Sequence, residues 1–373
     1  MKILMTNHHP SDGGGHTTYL IALARKLSLA HTIVIAAPIS SKLNKLARTI
    51  VNVQVMDIDF PGTLKEPVRL FSAIYKLAQL IGNLKIDVIH VNGSPDHRII
   101  VYVSWFLGRK LPVILTKHNT LPSLSFGNRL RSKYTSAVIA VCKSLTLSLE
   151  SSAYKNIPIY AIENGVDVDY FSPQIQNLVT IKGSLPKIIF ASVAGTPIYK
   201  GWQYMVEAMS LIPMSIRESV MIVIAGEIPT DEIKEKYVGK LGMSAYVKFT
   251  GVVADVRQII ANSDVGFVLS DGIETISFAC REMMSMGKPV LVSDYSGLPE
   301  NIEDNINGWI TKTGDIESIR IKILLILSNF EKIKDMGKCA RLKAVKDFSV
   351  QDFISKTEDV YIKVARDHAQ NSV

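Results

Sequence analysis

Val265-Gly266-Phe267-Val268-Leu269, then Ser270-Asp271-Gly272-Ile273-Glu274, then Thr275 to Met286, reads as a strand, a polar loop and a helix. Gly287-Lys288-Pro289 closes the helix before a second apolar run, Val290 to Val292. A short apolar run bounded by turn residues has the length of a buried strand, and the longer segment after it has the length of a helix. Strand, helix and strand in that order form the unit of a parallel sheet covered by helices. The same alternation extends outward on both sides. Upstream in the second half stand Ile188 to Val193, a helix around Gln203 to Leu211, Met221 to Ala225 and Val247 to Phe249. The first half repeats the plan with Ile3 to Thr6, a helix from about His16 to Leu29, Thr32 to Ala37, Val88 to Val91, Val113 to Thr116 and Val138 to Val141. The prediction is an α/β protein of two doubly wound parallel-sheet domains. At 373 residues the chain exceeds one ordinary hydrophobic core; a single large barrel is the alternative.

Proline, glycine and polar residues from Tyr170-Phe171-Ser172-Pro173 to Ser184-Leu185-Pro186 break the periodicity, as an interdomain connection should. The expected division is therefore 1–174, 175–355 and a C-terminal segment, 356–373. Apolar spacing from about Val350 to Arg366 is helical, and this last helix is expected to pack back on the first domain. Ligands of open α/β sheets bind outside the carboxyl ends of the strands, so two such domains facing each other are expected to form a cleft.

Hydrophobic residues make up 47% and charged residues 20% of the chain, which excludes wholesale disorder. Met1 to His9 has too short an apolar stretch for a signal peptide and is read as opening on a buried strand. The longest apolar stretch, Ile99 to Leu107, is about half the roughly 20 residues of a membrane span. Cys142, Cys280 and Cys339 lack metal-ligand spacing, and an odd, sparse set fits a reducing compartment, so a cytoplasmic location is expected.

Residues 1–170 hold 19 lysines and arginines against 10 aspartates and glutamates, net +9, while the remainder sums to −1. A basic surface draws in phosphates, anionic headgroups or nucleic acid; solubility alone is the plainer reading. Arg129, Arg131 and Lys133 beside Leu121, Leu124 and Phe126 suit peripheral contact with an anionic membrane, at the inner face of the cytoplasmic membrane. No binding module or aromatic-interleaved basic strand points to nucleic acid.

After the first strand, Ser11-Asp12-Gly13-Gly14-Gly15-His16 is a glycine loop leading into a helix, where backbone amides can approach an anion. It lacks the spacing of a dinucleotide site or a P-loop, so a tight turn is an equal reading. Glu274 and Glu282 are separated by roughly 12 Å if the segment is fully helical, about the length from a sugar across a diphosphate to a ribose. Glu274 would then hold sugar hydroxyls and Glu282 the ribose hydroxyls. Amides of Ile276, Ser277 and Phe278 would face the phosphates between them.

Asn164-Gly165-Val166-Asp167 with Phe171-Ser172-Pro173, then Lys200-Gly201, Phe249-Thr250-Gly251, Asp264-Val265, Glu274 and Glu282, Gly287-Lys288-Pro289-Val290, Gly297-Leu298-Pro299-Glu300 and Asn307-Gly308 fall in one order. That order resembles the retaining glycosyltransferases of family 4, whose GT-B fold has two facing Rossmann-like domains. The resemblance spans almost the whole chain and is densest from residue 164 to 310.

The resemblance implies that Gly14 and Gly15 lie beside the donor diphosphate and His118 near the sugar and the reacting centre, while His90 is structural. It implies that Lys200 pairs with the diphosphate and stabilises the leaving group. Val252 and Val253 would lie along the nucleotide base, with UDP the default and GDP and ADP open. Catalysis would rest on His118, Lys200 and Glu274. The donor is a nucleoside diphosphate sugar, the acceptor a glycan or glycolipid such as lipopolysaccharide bound by the first domain. No cofactor or metal is implied. Asp57-Ile58-Asp59 and Asp167-Val168-Asp169 spell a metal-binding triplet of another glycosyltransferase architecture, but capping and turns explain them. The family usually has an arginine five residues before Lys200, where this chain has Gly195. A nucleotide-sugar-binding protein that has lost catalysis is therefore the alternative, with a sugar-nucleotide epimerase a further one.

Overall fold

The computed structural model describes residues 1–11, 13–62, 65–119, 124–174 and 188–370. Asp12, Leu121, the expected boundary near residue 175 and most of the connecting stretch to Pro186 lie outside these residues. The chain divides into two compact units: Met1–Asn164 together with the chain from Gln351 on, and Gly165–Val350.

Unit 1 is built on a seven-stranded sheet in which every pairing is parallel. Its strands are β1 (Lys2–Thr6), β2 (Thr32–Ala37), β3 (Val53–Asp57), β4 (Val88–Val91), β5 (Val113–Lys117), β6 (Ala137–Ala140) and β7 (Ile159–Ala161). They run in the order β3-β2-β1-β4-β5-β6-β7. All four residues of β4 and of β6 are buried, which is why these strands read as continuous apolar runs without alternation. The edge strands β3 and β7 have no fully buried residue and carry more polar side chains.

Unit 2 has six parallel strands: β8 (Ile188–Ser192), β9 (Val220–Ile224), β10 (Val247–Phe249), β11 (Val265–Val268), β12 (Val290–Ser293) and β13 (Gly308–Thr311). Their order, β10-β9-β8-β11-β12-β13, places the first and fourth strands side by side, as in unit 1. In each unit the chain reverses its winding direction there, and ligands gather at the carboxyl ends flanking such a switch point. The core on one face of this sheet is organised around Trp202, which is fully buried with Phe190, Ile222, Phe267 and Trp309. Its indole N–H donates to Thr196 O at 2.7 Å, so burial leaves no polar atom unsatisfied there. Asp264 extends the β8–β11 contact, its carboxylate accepting from Ile189 N at 2.9 Å.

The helix after β1 runs Gly14–Leu27 and the one after β8 runs Trp202–Ser210, each displaced by a residue or two from the sequence reading. The last helix, Val350–Gln370, belongs to unit 1 from Gln351 on. Its contacts there include Tyr361 Oη to His90 Nδ1 at 2.5 Å, His31 Nε2 to Glu358 at 2.6 Å, and the Phe353 ring against Tyr19. His90 also meets Thr116 Oγ1 through Nε2 at 2.5 Å, and Thr116 meets Tyr19 Oη at 3.0 Å. Both ring nitrogens of His90 are thus spent inside the core. Among the described residues no helix is long and apolar enough to cross a membrane.

Tyr361→Phe removes the partner of a fully buried imidazole nitrogen and should lower stability by about 1–3 kcal/mol. Thermal denaturation checks this, and an unchanged midpoint would show that the hydrogen bond does not hold the helix.

Candidate active site

In unit 2 the candidate site is assembled from the loops after β8 and β11. Gly201 (φ 75°) ends the short turn Ile198–Lys200 and starts the helix Trp202–Ser210. A Cβ there would lie 1.8 Å from Leu269 O, so only glycine lets the two loops approach this closely. The approach is reinforced by Asp271 N donating to Tyr199 O at 3.0 Å and by Tyr204 Oη donating to Asp271 at 2.5 Å. Lys200 is thereby carried to Glu274, and its ammonium donates to Oε2 at 2.7 Å. The two side chains are only 18% and 10% exposed. The two expected catalytic residues of this unit therefore form one ion pair.

The sequence reading placed Glu274 at the foot of a helix beginning at Thr275, but the helix is Phe278–Ser285. Ser277 (φ 56°) stops it, in a left-handed conformation with its hydroxyl accepting from Cys280 N. Ile273 is also left-handed (φ 45°), a rare state for a β-branched residue. Glu274 thus lies on a loop strained at both ends, and the 12 Å helical span between the glutamates does not apply. The backbone N–H groups of Ile276, Ser277 and Phe278 have no acceptor among the described residues. They stand at a helix start, where the peptide dipole favours negative charge.

Glu282 projects from that helix half-buried. Desolvation alone pushes its carboxyl up to about 7, because no hydrogen bond or cation among the described residues compensates it.

Two residues missed in the sequence hold this loop. Arg281 is fully buried, donates from Nε to Asn301 Oδ1 at 2.8 Å and lies 4.1 Å over the Phe348 ring. Asn301 in turn donates to Ile276 O at 2.7 Å and Leu298 O at 3.1 Å. An arginine in the middle of an apolar helix was the available signal, together with an asparagine closing Gly297-Leu298-Pro299-Glu300-Asn301. That turn packs behind the Ile276 segment.

Gly195 is held at φ 94°, and a Cβ on Gly226 would lie 2.9 Å from its Cα. The two post-strand loops touch glycine to glycine, and the left-handed backbone explains why an arginine is disfavoured at 195. Val252 is exposed and Val253 half-buried, just after Gly251, whose carbonyl accepts from Gly226 N at 3.2 Å.

In unit 1, Gly13 (φ 69°) and Gly14 (φ 49°) open the helix after β1. Gly14 and Gly15 are exposed, and a Cβ on Gly14 would meet nothing within 4 Å. His118, directly after β5, donates from Nε2 to Asn92 Oδ1 at 3.0 Å. Asn92 Nδ2 donates to Thr6 O at 3.2 Å, which fixes the amide and so places the His118 proton on Nε2. The His118 ring lies 4.1 Å from that of His16 and is edge-on to Tyr19 at 4.8 Å. Burial, then the neighbouring histidines, hold His118 well below the usual imidazole range, so it is neutral at neutral pH.

Beneath this group, buried Asp96 accepts from Thr6 Oγ1 at 2.7 Å and Asn92 N at 2.9 Å and faces His8 Nδ1 at 3.4 Å. Asn92 and Asp96 were also missed; both fall in Asn92-Gly93-Ser94-Pro95-Asp96, a post-strand loop. The aspartate triplets are engaged locally. Asp57 accepts from Asn44 and Arg48, Asp59 pairs with Arg69, and Asp167 accepts from Asp169 N and Tyr170 N.

The family described as Glycosyl transferases group 1 matches residues 179–343, and Glycosyltransferase Family 4 matches residues 13–170. The chain belongs to these glycosyltransferases. An N-acetyl-alpha-D-glucosaminyl L-malate synthase of Bacillus anthracis is 24% identical over 80% of this chain and 80% of its own length. A UDP-Gal:alpha-D-GlcNAc-diphosphoundecaprenol alpha-1,3-galactosyltransferase of Escherichia coli is 29% identical over 79% of this chain and 80% of its own. In fold, the glycosyltransferase is similar to Anabaena HepE, crystallised with UDP and glucose, at a TM-score of 0.81 and 20% identity over 96% of this chain and 98% of that one. The two Rossmann-like units of this glycosyltransferase are those of the GT-B fold.

His16 should make the glycosyltransferase acid-sensitive. Burial, then the charge of His9, pushes it from 6.5 to about 4. Between those values the unfolded chain binds a proton that the folded chain excludes, so stability is full above pH 6.5 and is lost as pH falls toward about 4. Thermal midpoints should drop between about pH 7.5 and about pH 5, and His16→Asn should shrink the drop. A flat profile would remove this account.

Proposed function

We propose that the protein transfers a hexosyl group from a nucleoside diphosphate sugar, UDP-sugar favoured, to an acceptor hydroxyl with retention of configuration. The observation that carries this reading is the loop and helix from Asp271 to Ser285. It combines an ion-paired lysine and glutamate with N–H groups at a helix start and a desolvated carboxylate that have no partner among the described residues. Each is what one part of the donor requires. Glu274 accepts from the sugar hydroxyls, Lys200 and the N–H groups of Ile276, Ser277 and Phe278 meet the diphosphate, and Glu282 accepts from the ribose hydroxyls. Val252 and Val253 flank the base; within unit 1, exposed Gly14 and Gly15 leave room for the close approach of an anion and His118 presents a neutral imidazole. The names of the Escherichia coli relative, with UDP-galactose, and of the HepE complex, with UDP, favour uridine.

In the reaction, the bond from the anomeric carbon to the phosphate oxygen breaks as the acceptor oxygen bonds to the same face. The acceptor proton passes to the departing phosphate, and no covalent enzyme intermediate or metal is required. The acceptor is an envelope glycolipid or polysaccharide, such as lipopolysaccharide, held by unit 1. Exposed Leu124, Phe126, Arg129 and Lys133 suit peripheral contact with an anionic membrane on the cytoplasmic side. A second reading, donor binding without transfer, is favoured by Gly195; donor binding with neither transfer nor hydrolysis across acceptors would establish it.

Lys200→Met and Glu274→Gln should each lower kcat by about 10²–10³-fold, read in a radiolabelled transfer assay beside thermal melts that confirm folding. Near-normal turnover by both variants would overturn the assignment. Ribose hydroxyls donate to an ionised Glu282, so affinity for UDP-glucose, whose diphosphate does not itself titrate there, should rise with pH through about 7. Glu282→Gln should flatten that dependence, and a pH-independent wild type would exclude the ribose role.

A further inference from the structure

The helix Ser94–Phe106 packs against the helices Pro67–Leu84 and Phe126–Ser132, all within unit 1. The side of such a layer turned away from its sheet is expected to be polar, but here it carries large apolar side chains. Val68, Phe71 and Tyr75 are exposed along one stripe of Pro67–Leu84, and Phe126 is exposed where its own helix begins. Trp105 and Phe106 end the middle helix, 46% and 62% exposed. The Trp105 ring lies 5.3 Å from that of Tyr102 and 6.0 Å from that of Tyr134, which follows the helix Phe126–Ser132, so aromatic contact runs from one helix to the next. Gly108 (φ 63°) stops the middle helix, and Arg109 N folds back to donate to Ser104 O at 3.2 Å. That turn sets exposed Arg109 and Lys110 directly after the aromatic pair.

Charge on the layer has one sign. Residues 67–84, 94–110 and 126–134 hold eight lysines and arginines and a single acid, Asp96. Asp96 is fully buried in the first turn of the middle helix, at the opposite end from Trp105, so these segments present only cations outward. Asp59 and Glu66, before the first of these helices, are both paired with Arg69. A second copy of this face would set like charges against each other, which costs affinity. Tryptophan and tyrosine rings instead favour the boundary between lipid headgroups and acyl chains, and neighbouring lysines and arginines favour anionic headgroups.

We propose that this helical layer docks on an anionic lipid bilayer, with Trp105 and Phe106 entering the headgroup region and Arg109, Lys110 and Lys133 meeting lipid phosphates. Phe126, which the function proposed above sets against a membrane, belongs to the same layer. As the docking face of a transferase with a glycolipid acceptor the layer rests on that function, whereas its affinity for lipid does not.

Sedimentation of the full chain with phosphatidylcholine vesicles, with and without phosphatidylglycerol, tests it. Wild type should be retained on the anionic vesicles only, and less in high salt. Trp105→Ser with Phe106→Ser, and Arg109→Gln with Lys110→Gln, should each weaken retention by about 10-fold or more. Thermal midpoints and affinity for UDP-glucose should stay those of wild type. Trp202 and Trp309 are buried, so of the three tryptophans only Trp105 can report the bilayer. Its emission should shift to the blue on anionic vesicles and be quenched by brominated acyl chains, and Trp105→Phe should abolish the quenching yet keep the retention. Equal retention on neutral vesicles, no retention at all, or a self-association that Trp105→Ser abolishes would each overturn the docking face. Retention lost with Phe126→Ser but untouched by the Trp105 and Phe106 substitutions would overturn the insertion and leave the membrane contact of the proposed function standing. Retention through this face in a protein that ignores UDP-glucose would uphold the docking and sink the donor reading.

Discussion

The candidate donor site depends on the close approach of two backbones, Gly201 against Leu269 O. A side chain at position 201 would push the loop after β8 away from the loop after β11, and Lys200 would no longer reach Glu274. Neighbouring polar contacts, Tyr199 O with Asp271 N and Tyr204 Oη with the Asp271 carboxylate, hold the loops at that separation. Packing fixes the other end, because the adjacent Trp202 is buried in the core. The ion pair is therefore a consequence of tight loop contact and not its cause.

Around that contact the chain leaves several groups in states that a well-compensated core avoids. Ile273 and Ser277 occupy left-handed backbone conformations, and among the described residues three consecutive N–H groups lack acceptors and the desolvated Glu282 has no partner. Strain and unmet hydrogen bonding of this kind cluster where a ligand supplies the missing interactions. Arg281 and Asn301 show the opposite arrangement. They are buried and hydrogen-bonded, and they act as the rigid support for the Ile276 segment.

Unit 1 uses the same logic with different chemistry. The imidazoles near the carboxyl ends of β1 and β5 are packed closely enough that burial and mutual repulsion keep His16 and His118 neutral. Asn92 sets the tautomer of His118, and Asp96 secures Asn92 through its backbone N–H.

The strands were legible because parallel strands buried on both faces are continuous apolar runs, and the helices because their apolar residues recur with helical spacing. Family membership was legible too, since the motifs from Asn164 to Gly308 fall in one order along the chain. The start of the Phe278–Ser285 helix was not, because a single left-handed serine ended it where propensity would have let it continue. The pairing of Lys200 with Glu274, the unsupported charge of Glu282 and the Arg281–Asn301 support were decided only by tertiary structure. Each depends on how close residues far apart in the chain come to one another, a distance set by packing and by which backbone positions lack a Cβ. Sequence alone determined which elements form and in what order; the three-dimensional fold decided which charges meet and which are left to a ligand.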